Sequence, residues 1–246
     1  MKKAASVLVM TFMLTSCSPK ATWDYVIIGD NLQLLSTVVS QYAAHIEQDQ
    51  DVEIVIFDAS EKSTPASWML RNMQYHDEFR AAITNAEVIT INWPLGSVDL
   101  PESNFIKGQC GGIDNQDCLR EGYAKTKEDW AGMLDAVASL RNGSPTIVRI
   151  MVAGDWVNET GFYGKQLSVE QIEVFNSYLA DMQDFIMADA DTRGIPVLLV
   201  FSEPYFNDQT PPASFFQSEG IRLSDMGSKL VADGLRELGY ESIVLK

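Results

Sequence analysis

The chain has 246 residues, 46% hydrophobic and 21% charged, the composition of a folded protein rather than a disordered one. Thirty-four acidic against 18 basic side chains give a formal charge of −16. That balance argues against nucleic acid or an anionic membrane surface as a partner, because both are recognised through basic patches.

Lys2 and Lys3 precede an apolar run from Ala4 to Leu14, too short to span a bilayer and fitting the apolar core of a signal segment. The run ends Leu14-Thr15-Ser16-Cys17, which resembles a bacterial lipobox, where the cysteine is lipidated and becomes the first mature residue. The expectation is a lipoprotein signal over 1–16, lipidation at Cys17, a tether over 17–23 and one domain over 24–246. The chain is then exported to the bacterial cell envelope and meets the membrane only through its lipid. An ordinary signal peptide with a chance cysteine is the alternative, and gives a secreted protein. Export places Cys110 and Cys118 in an oxidising compartment. Seven residues separate them, so a local disulfide closes easily, worth about 2–3 kcal/mol by loop entropy. With no histidine or further cysteine nearby, the pair is not expected to bind metal.

Tyr25–Ile28 is a short apolar run ending in Gly29-Asp30, and a helical pattern follows from Leu32 to Ile46 with Leu35, Val38, Val39 and Tyr42 on one face. A strand feeding a tight turn and then a helix places that turn at the C-terminal edge of a sheet, where open α/β folds bind their ligands. Glu53–Phe57 reads as the second strand. A helical stretch around Trp68–Ile83 holds His76, and Val88–Asn92 is the third strand. His45, at the end of the first helix, is expected to be solvated. Trp93–Cys118 is a loop of 26 residues, long enough to be functional or pinned, and the cysteine pair would pin it. A helix over Leu119–Leu140 stops at Asn142-Gly143; Thr146–Val152 is the fourth strand. Ser168 caps a long helix whose Ile172, Phe175, Leu179, Met182 and Ile186 form a core stripe. Val197–Phe201 is the fifth strand, Ser224–Leu238 the last helix, and 241–245 a short final strand. Alternation of strands and helices predicts a single three-layer α/β/α domain with a five-stranded parallel sheet in flavodoxin-like order 2-1-3-4-5.

Several stretches resemble the SGNH (GDSL-type) hydrolases. Gly29-Asp30-Asn31 stands where that family has Gly-Asp-Ser, its nucleophile block. The family's glycine after strand two falls at Asp58-Ala59-Ser60. Ala86–Asn92 resembles its third strand, and Gly96-Ser97-Val98-Asp99 follows where Gly-Gly-Asn-Asp is expected. Glu219-Gly220-Ile221-Arg222, with Gly227 five residues on, stands at the Asp-x-x-His block. The loop between the cysteines resembles loops of secreted bacterial members. The resemblance thus implies the fold of an ester hydrolase with its chemistry replaced: Asn31 for the serine, Ala59 for the glycine, Val98 for the oxyanion asparagine, Glu219 and Arg222 for the aspartate and histidine. An amide is a poor nucleophile, an arginine stays protonated, and a valine donates no hydrogen bond.

The leading expectation is a binding or scaffold protein without catalysis, for glycans or acylated sugars, with Asp30, Asn31, Trp93, Asp99, Glu219 and Arg222 lining its pocket and no cofactor or metal. Tyr163, Trp156, Phe206, Phe215 and Phe216 lie on loops at the same edge, and either line this pocket or seal the core. Two alternatives stand beside it. One is an active esterase using displaced residues. The other is a cation-binding protein built on Asp30, Asp58, Asp99 and Glu219, opposed by the reading in which Asp30 caps the turn and pairs with Arg222.

Overall fold

The computed structural model describes residues 19–29, 32–60, 65–93, 101–153, 167–200 and 223–245. Five strands form one sheet: β1 (Ala21–Gly29), β2 (Val52–Asp58), β3 (Val88–Trp93), β4 (Ile147–Ala153) and β5 (Val197–Val200). Their order is β2-β1-β3-β4-β5 and every pairing is parallel, the flavodoxin-like arrangement the alternation predicts. The helices are α1 (Leu32–Gln50), α2 (Ala66–Tyr75), α3 (Asp77–Asn85), α4 (Pro101–Ile106), α5 (Asp117–Arg141), α6 (Val169–Arg193) and α7 (Asp225–Glu237).

Strand side chains alternate between two cores, as the pleat requires. Tyr25, Ile27, Val88, Ile147, Met151 and Leu198 face α1 and α7, meeting Val38, Val39, Tyr42, Val231 and Leu235. Val26, Ile28, Ile89, Ile91, Val148 and Ile150 face α2, α3, α5 and α6. The sheet is thus covered on both faces, which is why β1, β3 and β4 are near-continuous apolar runs. The α6 stripe predicted from spacing is core: Phe175, Leu179, Met182 and Ile186 are buried. Ser168 caps α6 in a reciprocal box with Gln171, and Asn142 ends α5 in the left-handed conformation.

Four expectations are corrected. β1 starts at Ala21, so residues 21–23, assigned to the tether, are strand: Ala21 pairs with Val52 and Trp23 with Ile54. These first residues are largely exposed, and no apolar pattern betrays them. The stretch around Trp68–Ile83 is two helices, broken at His76, whose backbone is extended. The long loop after β3 contains α4. Instead of a final strand over 241–245, Ile243 makes one antiparallel bridge to Thr146.

Candidate functional site

The C-terminal edge of the sheet is built first by β1. Gly29 has φ +136° and lies in register with Asn92 of β3. A Cβ at position 29 would sit 2.2 Å from the Asn92 carbonyl oxygen. Glycine is therefore required where β1 delivers the chain to Asp30 and Asn31, because the neighbouring backbone occupies the side-chain volume. α1 starts at Leu32, immediately after that dipeptide.

The end of β2 closes on itself. The Asp58 carboxylate accepts from the Ser60 N–H at 2.9 Å and from the Ser60 hydroxyl at 2.7 Å. Ala59 is buried among the residues facing α2, and its N–H donates to the Ile27 carbonyl at 3.0 Å. At the end of β3, Trp93 is taken up by the core, edge-on to Trp130 with ring centres 5.3 Å apart. Its indole packs on α5.

Beyond β3 the chain is pinned. Cys110 and Cys118 are disulfide-bonded, with Cα atoms 4.8 Å apart. Inside the loop Asn115, itself at φ 57°, accepts from the Cys110 N–H and donates to the Phe105 carbonyl, tying the disulfide to α4. Arg120 bridges Asp114 and Asp117. Its hydrogen bonds hold the Asp114 carboxyl down at about 2. The loop's two acids thus already have their cation.

No family profile and no curated protein matches the chain. Solved structures do. A lipase from a goat rumen metagenome superposes with a TM-score of 0.62 over 89% of this chain and 98% of its own, at 14% identity. A lipase/acylhydrolase from Enterococcus faecalis gives 0.55 over 91% and 99%, at 13% identity. A variant of an acetyl-xylooligosaccharide esterase from Geobacillus gives 0.57 over 90% and 96%, at 10% identity. The chain has the SGNH-hydrolase fold.

The family's glycine after strand two falls at Ala59 in the resemblance. Here the N–H groups of both Ala59 and Ser60 are engaged, by Ile27 and Asp58. The last family block runs into α7, where the Ser224 side chain accepts from the Gly227 N–H at 3.1 Å and Leu223 is buried in the core that faces α1 and α7. Asp30, Asn31, Val98, Asp99, Glu219 and Arg222 lie outside the described residues, as do Cys17 and the loop aromatics Trp156, Tyr163, Phe206, Phe215 and Phe216. Of the four acids weighed as a cation site, Asp58 alone is described, and it caps its own turn. Among the described residues no group of three or more ligand side chains converges.

The two histidines of the chain are both described. His76 is not inside a helix, as expected, but caps α3 by accepting from the Phe79 N–H. His45 is not solvated. Its Nε2 lies 3.0 Å from Asp233 of α7, and its Nδ1 3.3 Å from the Arg236 guanidinium. Arginine can only donate, so Nδ1 accepts and Nε2 carries the proton to Asp233. Arg236 also grips Asp49 with two bonds of 2.8 and 2.6 Å, and the Tyr240 hydroxyl donates to the same carboxylate. This cluster ties α1 to α7. The sequence hides it, since its members lie about 190 residues apart and meet only when the two helices pack.

Proposed function

We propose that this chain is a non-catalytic binding protein on the SGNH-hydrolase fold, exported, lipid-anchored at Cys17 and directed to glycans or acylated sugars. One observation carries the reading. A serine-type hydrolase needs a general base, and both histidines have structural tasks. His76 caps α3, and His45 is clamped between Asp233 and Arg236. His45 also stands 13 residues along α1 from Leu32, about 20 Å at 1.5 Å per residue, from the helix end that follows Asn31. The sequence supports the same conclusion, with Asn31 at the nucleophile, Val98 at the oxyanion asparagine and Arg222 at the base. The engaged N–H groups of Ala59 and Ser60 remove another oxyanion donor. The sugar class is suggested by the likeness to an acetyl-xylooligosaccharide esterase.

The test pairs turnover with binding. Purified protein is incubated with acetylated xylo-oligosaccharides and short p-nitrophenyl esters, and titrated with the same sugars by calorimetry. The expected result is measurable sugar binding with only trace hydrolysis. Asn31→Ser alone is expected to leave turnover at that trace, because no base takes the new hydroxyl's proton. Ester hydrolysis at about 1–10³ s⁻¹, ordinary for an enzyme, refutes the proposal. Hydrolysis that survives Asn31→Ala but is lost on changing another serine would identify a displaced nucleophile.

A further inference from the structure

β2 lies at one side of the sheet, and among the described residues no strand lies beyond it. Its centre is bare on both faces: Val55 is 53% exposed and Ile56 41%. Adjacent strand residues point to opposite faces, so neither the α1 side nor the α2 side covers the middle of this strand. A seven-residue edge strand with an apolar centre of this kind is a template for another strand unless something blocks it.

The backbone directions along β2 follow from two hydrogen bonds. The Ala59 N–H points inward to the Ile27 carbonyl of β1. In a parallel ladder alternate residues bond a given neighbour. Glu53, Val55 and Phe57 therefore address β1, while Val52, Ile54, Ile56 and Asp58 direct their N–H and C=O groups to the open side. Ile54 agrees, for its N–H donates outward at 3.0 Å to the carboxylate of Glu47, reaching over from α1.

We propose that this edge pairs antiparallel with β2 of a second copy of the chain, about a two-fold axis through Val55. That axis is the one that uses all seven residues of the strand. It sets Ile54 opposite Ile56 of the second copy, and Val52 opposite Asp58, all with outward backbone groups, so these become the hydrogen-bonded pairs. Val55 meets Val55 in a non-bonded pair, where side chains lie closest. The charges are compatible in this register: Glu53 faces Phe57, Asp58 faces Val52, and no like charges stand directly opposite. The two exposed aliphatics are covered together, and two five-stranded sheets become one of ten.

Glu47 sets the terms. Its carboxylate must leave the Ile54 N–H before the ladder forms. Val52, Ile54, Ile56 and Asp58 share the α1-side face, so Asp58 of the second copy comes diagonal to Ile54 and repels Glu47. Added salt, and Glu47→Ala, both strengthen the association.

The test is specific for register. Non-bonded antiparallel pairs have Cα atoms about 4.5 Å apart, within disulfide range. In a Cys17→Ala background, Val55→Cys is expected to oxidise to a covalent dimer. Glu53→Cys is not, because its own copy stands four residues along, about 13 Å away. Sedimentation should show a concentration-dependent dimer in the wild type at about 100 µM, a micromolar-range affinity. Ile56→Lys should abolish it with unchanged circular dichroism. The proposal is overturned if Val55→Cys cross-links no better than Glu53→Cys. A folded Ile56→Lys that still dimerises, or a wild type monomeric at that concentration, overturns it as well.

Discussion

Gly29 is the position where one methyl group tests how the strand-one turn is built. Gly29→Ala meets two separate penalties. At φ +136° an L-residue is in a region that only glycine visits freely, a strain of about 1–3 kcal/mol. The new Cβ would also lie 2.2 Å from the Asn92 carbonyl oxygen and 2.9 Å from its nitrogen. Those are backbone atoms held in the β1–β3–β4 ladder and cannot swing aside like a side chain. Overpacking of this kind adds about 1–3 kcal/mol. The sum, about 4 kcal/mol, is a large share of the 5–15 kcal/mol that holds a typical domain together. Gly143→Ala is the control: φ is +80°, but no atom lies within 4 Å of its built Cβ, so only conformational strain applies, about 1 kcal/mol. Urea unfolding followed by circular dichroism compares the two, and the Gly29→Ala midpoint should fall by about 1–2 M. Equal losses for both variants would refute the reasoning, since the close approach of β3 would then contribute nothing.

Further outcomes follow from the same structure. Tyr42 is buried and among the described residues its hydroxyl has no hydrogen-bond partner, so Tyr42→Phe should be neutral or stabilise by about 1 kcal/mol in thermal unfolding, whereas Tyr25→Phe orphans the Thr90 hydroxyl and should cost about 1–2 kcal/mol. Burial pushes the Tyr42 phenol up to about 12, with Arg149 pulling it partly back, so the unfolded chain loses that proton first: stability is intact below pH 10 and declines as pH rises from 10 towards 12, less steeply in Tyr42→Phe. Reducing the Cys110–Cys118 bond, or Cys110→Ser with Cys118→Ser, should cost about 2–3 kcal/mol in equilibrium unfolding. Cys17→Ala should leave the chain unprocessed or soluble, and a variant that still matures and partitions with membranes like wild type refutes lipidation there.

The layer order was legible because burial on both faces leaves a plain mark. Tyr25–Ile28 is apolar throughout, Val88–Ile91 is interrupted only by Thr90, and the α6 stripe repeats at helical spacing. Helix ends were legible too, since Ser168 and Ser224 cap the starts of α6 and α7 and Asn142 the end of α5 through local geometry alone. The cysteine pair needed only a short loop between its members. What the sequence could not determine depends on residues brought together from far apart. Ala21–Trp23 becomes strand because β2 lies beside it, not through any pattern of its own. Trp93 reads as a loop aromatic until Trp130, on a helix 37 residues on, takes its ring into the core. His45 reads as a solvated helix end until α7 brings Asp233 and Arg236 to its two nitrogens. Arg149 interrupts an apolar strand, and its role appears only where its guanidinium donates to the Gly239 carbonyl at 2.7 Å, holding the C-terminal segment against the sheet. Ala59 shows the same division for chemistry: its identity is in the sequence, but only the pairing of β2 with β1 decides that its N–H goes to Ile27. Local patterns are set by neighbours a few residues apart and survive in the sequence; partners across the sheet or between helices are chosen by packing, which no short stretch of the chain encodes.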